Sequence, residues 1–199
     1  MFLFRIAKIM NKAILLHGTD GSSQSSWLQW LRAQLEEGGM TVWVPDLPNA
    51  DYPSLQEWAE YVFEKSPFEI DDNTLIVGHS AGAVAALIIA QLLKSRVGQV
   101  ISVASFKDLS YLHEKLNWHA NDRFFDVEFD FEKIKDNCDD IVFIHSDDDP
   151  YCPLDQAEFI AAETDGRLII IPDSGHFNTE KSERFKEFPE IMNHISFPS

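Results

Sequence analysis

Short apolar runs recur along the chain and alternate with segments of helical periodicity. Runs rich in Ile, Val and Leu occupy 13–16, 41–44, 74–77, 99–103, 141–145 and 168–171. They are continuous rather than alternating, the pattern of strands buried on both faces. Helical spacing covers 25–37, 54–65, 82–94, 154–163 and 179–194. A strand–helix–strand rhythm of this kind predicts an α/β three-layer sandwich: about six mostly parallel strands with helices on both faces. Gly38-Gly39 closes the first helix, and Pro45, Pro48, Pro150 and Pro172 punctuate the loops after strands. One segment, 105–138, breaks the rhythm. It is rich in aromatic and acidic residues and is too long for a structureless loop, so short helices forming a cap over the strand ends are expected there.

In open parallel sheets, ligands bind outside the carboxyl ends of the strands. The loops that follow the apolar runs are therefore the informative ones. The third run leads into Gly78-His79-Ser80-Ala81-Gly82 and then into an Ala-rich helix. G-x-S-x-G between a strand and a helix is the pattern of a nucleophile on a sharp turn. Small flanking residues are needed because neighbouring backbone comes close. The helix start places the Ala81 amide where negative charge would develop. A bare five-residue pattern can be an ordinary tight turn, and it is the strand–turn–helix context that favours Ser80 as a nucleophile.

A serine hydroxyl needs a base. Of seven histidines, His176 in "IPDSGHF" stands after the last strand, at the same sheet edge as Ser80, whereas His79 adjoins the serine on a turn that points neighbours apart. An acid must orient the imidazole. "HSDDDPYCP" offers Asp147, Asp148 and Asp149 after the fifth strand, and the order Ser–Asp–His is satisfied by any of them. The loop "HGTDG" after the first strand supplies a second amide for an oxyanion, from Thr19 or Asp20. That loop lacks the glycine spacing of a phosphate cradle.

The chain holds 199 residues, 45% of them hydrophobic, enough for one core, and a single domain over 1–199 is expected. Its net charge of −17 argues against nucleic acid as a partner and fits a monomer. No apolar run approaches the roughly 18 residues of a membrane span. "MFLFRIAKIMNK" lacks the long apolar core and cleavage site of a secretory signal. The two cysteines, Cys138 and Cys152, match no zinc spacing and read as reduced thiols of a cytoplasmic protein.

With these motifs together, the chain resembles the small α/β-hydrolase-like serine hydrolases of the retinoblastoma-binding protein 9 family. The resemblance is carried by "ILLHG" with Trp27, "LIVGHSAGAVAA", "KIKDNC", "HSDDDPYCP" and "DSGHFNTE", and runs from Lys12 to the last helix. It implies Ser80 as nucleophile, His176 as base and, since the acid directly precedes the proline, Asp149 as its partner. It implies hydrolysis of a small carboxylic ester or amide without metal or organic cofactor. The L-x-C-x-E motif that binds pocket proteins is absent, so that partner is not implied. Trp118, Phe124 and Phe125 are the candidate cap residues for a substrate pocket. The rival readings are a silent scaffold used for protein interaction and acyl transfer to an acceptor other than water.

Overall fold

A computed structural model describes residues 10–195. The expectations for the N-terminal nine residues lie outside the described part. Six strands form one parallel sheet in the order β2-β1-β3-β4-β5-β6. They are β1 (Lys12–Leu16), β2 (Thr41–Trp43), β3 (Thr74–His79), β4 (Val97–Val103), β5 (Cys138–His145) and β6 (Arg167–Ile170). The α-helices are α1 (Leu28–Glu37), α2 (Leu55–Lys65), α3 (Ala81–Leu92), α4 (Ser110–Leu116), α5 (Phe131–Asn137) and α6 (Leu154–Glu163).

Strand periodicity splits the core into two layers. Ile14, Leu16, Ile76, Val100 and Phe143 point to the face covered by α2, α3, α5 and α6. Ala13, Leu15, Leu75, Val77, Ile101 and Val142 point to the other, packed against α1 and the C-terminal aromatics Phe177, Phe185 and Phe188. Successive side chains of a strand alternate faces, so continuous apolar runs serve both layers. The register aligns the carboxyl ends: Leu16 lies opposite Gly78, His79 opposite Val103 and His145 opposite Ile170.

Helix α3 is the central packing element. Residues 81–91 are all buried, which explains an Ala-rich sequence with no polar face. Its last carbonyls need partners, and Asn137 Nδ2 donates to those of Ala90 at 2.9 Å and Leu93 at 3.0 Å. The 105–138 excursion contains α4 and α5 and is tied down at several points. Leu55 N–H donates to Phe124 O at 3.2 Å, and Gln91 spans Glu128 O (3.0 Å) and the Asp130 N–H (2.8 Å). Phe106, Leu112, Phe124 and Ile134 sink into the protein.

The 179–194 segment departs from the helix its spacing suggests. It forms two 3₁₀ helices, Glu183–Lys186 and Pro189–His194. Pro189 disfavours helical backbone at Phe188, which adopts φ −143°. Buried Phe185 and Phe188 lie three residues apart, the repeat of a 3₁₀ turn.

Leu87, fully buried in α3, and Leu92, 40% exposed at its end, test this packing. Leu87→Ala is expected to lose about 2–5 kcal/mol. Leu92→Ala is expected to stay within about 0.5 kcal/mol of the parent. Urea unfolding of the two variants checks the contrast, and equal losses would contradict the assignment of α3 as the core helix.

Candidate active site

The strand–turn–helix at Ser80 is a steric construction. Ser80 has φ +57° and ψ −123°, a strained conformation for a residue with a side chain. Its own N–H donates to Val103 O at 2.9 Å, and its carbonyl accepts from Ala83 N–H at 2.9 Å. The neighbouring glycines create room rather than carry the strain. A Cβ on Gly78 would stand 2.0 Å from Gly82 O, and one on Gly82 would stand 2.4 Å from His17 O. Gly18 approaches from the loop after β1, where a Cβ would meet Ser80 Cβ at 2.8 Å. Three glycines therefore let β1, the turn and α3 converge beneath one hydroxyl.

The three aspartates after β5 divide their work. Asp147 Oδ1 accepts the Asp173 N–H at 3.0 Å, and Asp148 Oδ1 accepts the Gly175 N–H at 2.7 Å. Ser146 Oγ accepts the Ser174 N–H at 2.9 Å. Asp148 also pairs with Lys181. Asp149 alone reaches the ring of His176, with Nδ1 at 3.0 Å from Oδ1 and 2.8 Å from Oδ2. Its Oδ1 further accepts the N–H groups of Tyr151 (2.9 Å) and Cys152 (3.0 Å). Burial alone would raise the Asp149 pKa, but the charge and hydrogen bond of His176, with the two amides, outweigh it and hold it below the usual carboxylate value.

His79, although next to Ser80 in sequence, is turned toward the histidine loop. Its Nε2–H donates to the backbone carbonyl of His176 at 2.7 Å, and the two rings lie 4.9 Å apart. Burial first, then repulsion from His176, lowers its pKa to about 3, so it stays neutral. Trp27 works alongside it, donating from Nε1 to Phe177 O at 3.0 Å. Together they fasten consecutive carbonyls of the bent histidine loop, where Asp173, Gly175 and Phe177 all have positive φ. Sequence reading missed both roles. Adjacency drew attention to His79 as a rival base, while its partner lies 97 residues away.

A cavity of about 200 Å³ opens beside Ser80 and His176. Thr19 and Asp20 border it from the loop after β1. The Asp20 N–H is engaged, donating to Ala50 O at 2.7 Å. Trp118 lines the cavity. Phe124 and Phe125 do not. Phe124 is fully buried beneath Phe106, stacked at 5.7 Å, because its backbone joins the start of α2. Phe125 packs edge-on to both and borders a separate surface groove. The apolar wall comes instead from Phe106, Leu112 and Trp118. At the other end Tyr151 donates to both carboxylate oxygens of Glu180 at 2.8 Å, and its ring stands nearly perpendicular to that of His176 with centroids 5.1 Å apart. Burial, with the Glu180 hydrogen bond and charge, pushes the Tyr151 pKa up to about 12. Asn121 reaches the cavity and accepts from Thr19 Oγ1 at 2.9 Å. Both cysteines are free thiols. Cys152 lines the cavity, and burial with nearby Asp149 keeps it protonated.

A parallel sheet with this strand order, helices on both faces and a serine turn after β3 defines an α/β-hydrolase fold. Known structures agree. The crystal structure of the Bacillus subtilis ydeN gene product superposes with a TM-score of 0.78 at 26% identity, covering 93% of this chain and 96% of that one. Est1E of Butyrivibrio proteoclasticus with bound ferulic acid shares the fold, with a TM-score of 0.64 at 15% identity over 96% and 87% of the two chains. The chain belongs to the serine hydrolase family, whose profile matches residues 13–196. It is 30% identical over 186 residues to serine hydrolase RBBP9 of Rattus norvegicus, spanning 91% of this chain and 95% of that one. It is 29% identical over 182 residues to the Bacillus subtilis YdeN protein, spanning 90% and 91%. Family and fold together support hydrolase activity on a small molecule. Among the described residues no helix is long and apolar enough to cross a membrane.

The neutral buried histidines make stability depend on pH. A group whose native pKa is lowered leaves the unfolded chain holding more protons, so stability falls on acidification. For His79 the window runs from 6.5 down to about 3, at a limiting slope of about 1.4 kcal/mol per pH unit. His17 and His145, also lowered by burial, act in the same direction. Asp149 adds a loss at lower pH, as its depressed native pKa is crossed. Denaturant unfolding across this window is expected to show that decline, with a shallower slope in His79→Gln. An unchanged slope in the variant would contradict a neutral buried His79.

Proposed function

We propose that the chain hydrolyses a small carboxylic ester or amide through Ser80, His176 and Asp149. The observation that carries this reading is the pairing of the Asp149 carboxylate, a fully buried side chain, with His176 Nδ1 at a cavity shared with Ser80. Occupation of Nδ1 leaves Nε2 to take the serine proton. Ser80 Oγ attacks the carbonyl carbon while its proton passes to His176 Nε2. The imidazolium is stabilised by Asp149, which stays ionised. The C–O or C–N bond then breaks, and His176 returns the proton to the departing alcohol or amine. Water, deprotonated by His176 in turn, releases the acyl group and regenerates the serine.

The oxyanion is held by backbone amides of Ala81 and Thr19. Ala81 heads α3, where the first N–H groups have no partner within the helix and the helix dipole favours negative charge. Thr19 is favoured over Asp20 because the Asp20 amide already serves Ala50. Each such donor contributes about 3–4 kcal/mol of transition-state stabilisation. The apolar wall of Phe106, Leu112 and Trp118 suits a compact apolar group on the substrate. Asp20, Glu180 and the strongly negative protein as a whole disfavour carboxylate-bearing substrates.

Hydrolysis of short-chain nitrophenyl esters tests the assignment. Ser80→Ala is expected to lose about four orders of magnitude or more in kcat. Asp149→Asn is expected to lose about 10⁴-fold with a KM close to that of the parent, whereas Asp147→Asn keeps most of its activity. Parent-like turnover by Ser80→Ala would overturn the mechanism. Acyl transfer to an added alcohol in preference to water would assign the chain to acyl transfer instead.

A further inference from the structure

We propose that His113, His119 and Asp122 form a binding site for a Zn²⁺-class divalent transition metal on the outer face of the cap. His113 Nε2 lies 2.9 Å and His119 Nδ1 3.2 Å from the same oxygen, Oδ1 of Asp122. The imidazoles lie side by side, with centroids 5.1 Å apart and planes inclined by 21°. Their ligand atoms and a carboxylate oxygen all fall within 4.8 Å of one another. Ligands on a tetrahedral ion with bonds of about 2.0–2.1 Å stand roughly 3.3 Å apart, so the three atoms need little movement to share an ion.

The backbone sets this geometry. Helix α4 ends at Asn117, which adopts φ +50°, and the Trp118 N–H turns back to Leu112 O at 3.0 Å. That reversal returns His119 beside His113. The Asp122 N–H donates to His119 O at 3.2 Å and closes the next turn. Asn117 Oδ1 stands 3.4 Å from His119 Nε2. Metal-binding imidazoles characteristically direct their other nitrogen to such an acceptor, which fixes the tautomer. Two nitrogens and one oxygen suit Zn²⁺, Ni²⁺ or Cu²⁺ better than the oxygen-seeking Ca²⁺ or Mg²⁺. All three side chains are solvent-accessible, so water completes the coordination.

The placement gives the ion a purpose. Each ligand directly follows a residue that lines the cavity beside Ser80: Leu112, Trp118 and Asn121. Asn121 also receives the Thr19 hydroxyl. An ion joining the three ligands fixes the spacing of the three wall residues from behind. That consequence for the cavity rests on the proposed function; the binding of the ion does not.

Competition for Zn²⁺ against a chromophoric chelator, on the full chain, tests the site. The parent is expected to bind one tight equivalent, and His119→Ala to weaken it by about tenfold or more. Amide hydrogen exchange across 110–122 is expected to slow when Zn²⁺ is added to the parent and to stay unchanged in His119→Ala. Equal affinity in parent and variant would overturn the proposal, as would a parent that binds no Zn²⁺ below about 0.1 mM. The exposed position of His119 lets the variant fold, and matching melting temperatures without metal check this.

Discussion

The grip of residues 146–149 on residues 173–176 is the constraint on which the site depends. His176 sits on a loop with three left-handed residues in five positions, a backbone that would not hold its shape alone. Ser146, Asp147 and Asp148 each capture one of its amides, and Asp149 captures the imidazole. His79 and Trp27 secure its carbonyls from the opposite side. One short acidic turn thus fixes both the position and the tautomer of the histidine. Charge-assisted acceptors suit the task, since hydrogen bonds to ionised carboxylates are roughly twice as strong as neutral ones.

The second constraint is steric. Ser80 occupies a backbone conformation that costs of order 1–3 kcal/mol, and it persists because α3 and the adjoining strands are packed rigidly around it. Glycines at 18, 78 and 82 are dictated by close backbone approaches. The apolar character of β3 and α3 on either side of the turn has the same origin. A deformable support would let the serine relax to ordinary φ and drop away from the cavity.

Much of this was legible in the sequence. Continuous Ile/Val runs announced the parallel sheet, and α6 was readable to the residue because Pro153 precedes it and its buried positions 156, 157, 160 and 161 keep helical spacing. The G-x-S-x-G turn and the histidine loop stood out because their residue types have few other uses at strand ends. What escaped the sequence depended on distant packing. Phe124 looks like a pocket residue, yet its carbonyl docks on α2 and its ring is drawn into the core. The final helical pattern resolved into two 3₁₀ turns because Pro189 and the spacing of Phe185 and Phe188 override periodicity. Residue type and chain order left the three aspartates equivalent; the family resemblance pointed to Asp149, and the approach of two loops distant in sequence places that one against His176. Asn121 belongs to no motif, and Tyr151 and Glu180, though within the motif segments, had no role assigned to them; all three reach the cavity through tertiary folding.

In the proposed mechanism Ser80 is a nucleophile activated by His176 and Asp149. Labelling of the intact protein with a fluorophosphonate, followed by peptide mass spectrometry, reads this without knowledge of the natural substrate. One covalent adduct is expected, located on Ser80, formed rapidly in the parent and lost in Ser80→Ala. A folded parent that takes up no label, or an adduct on any other residue, would contradict it.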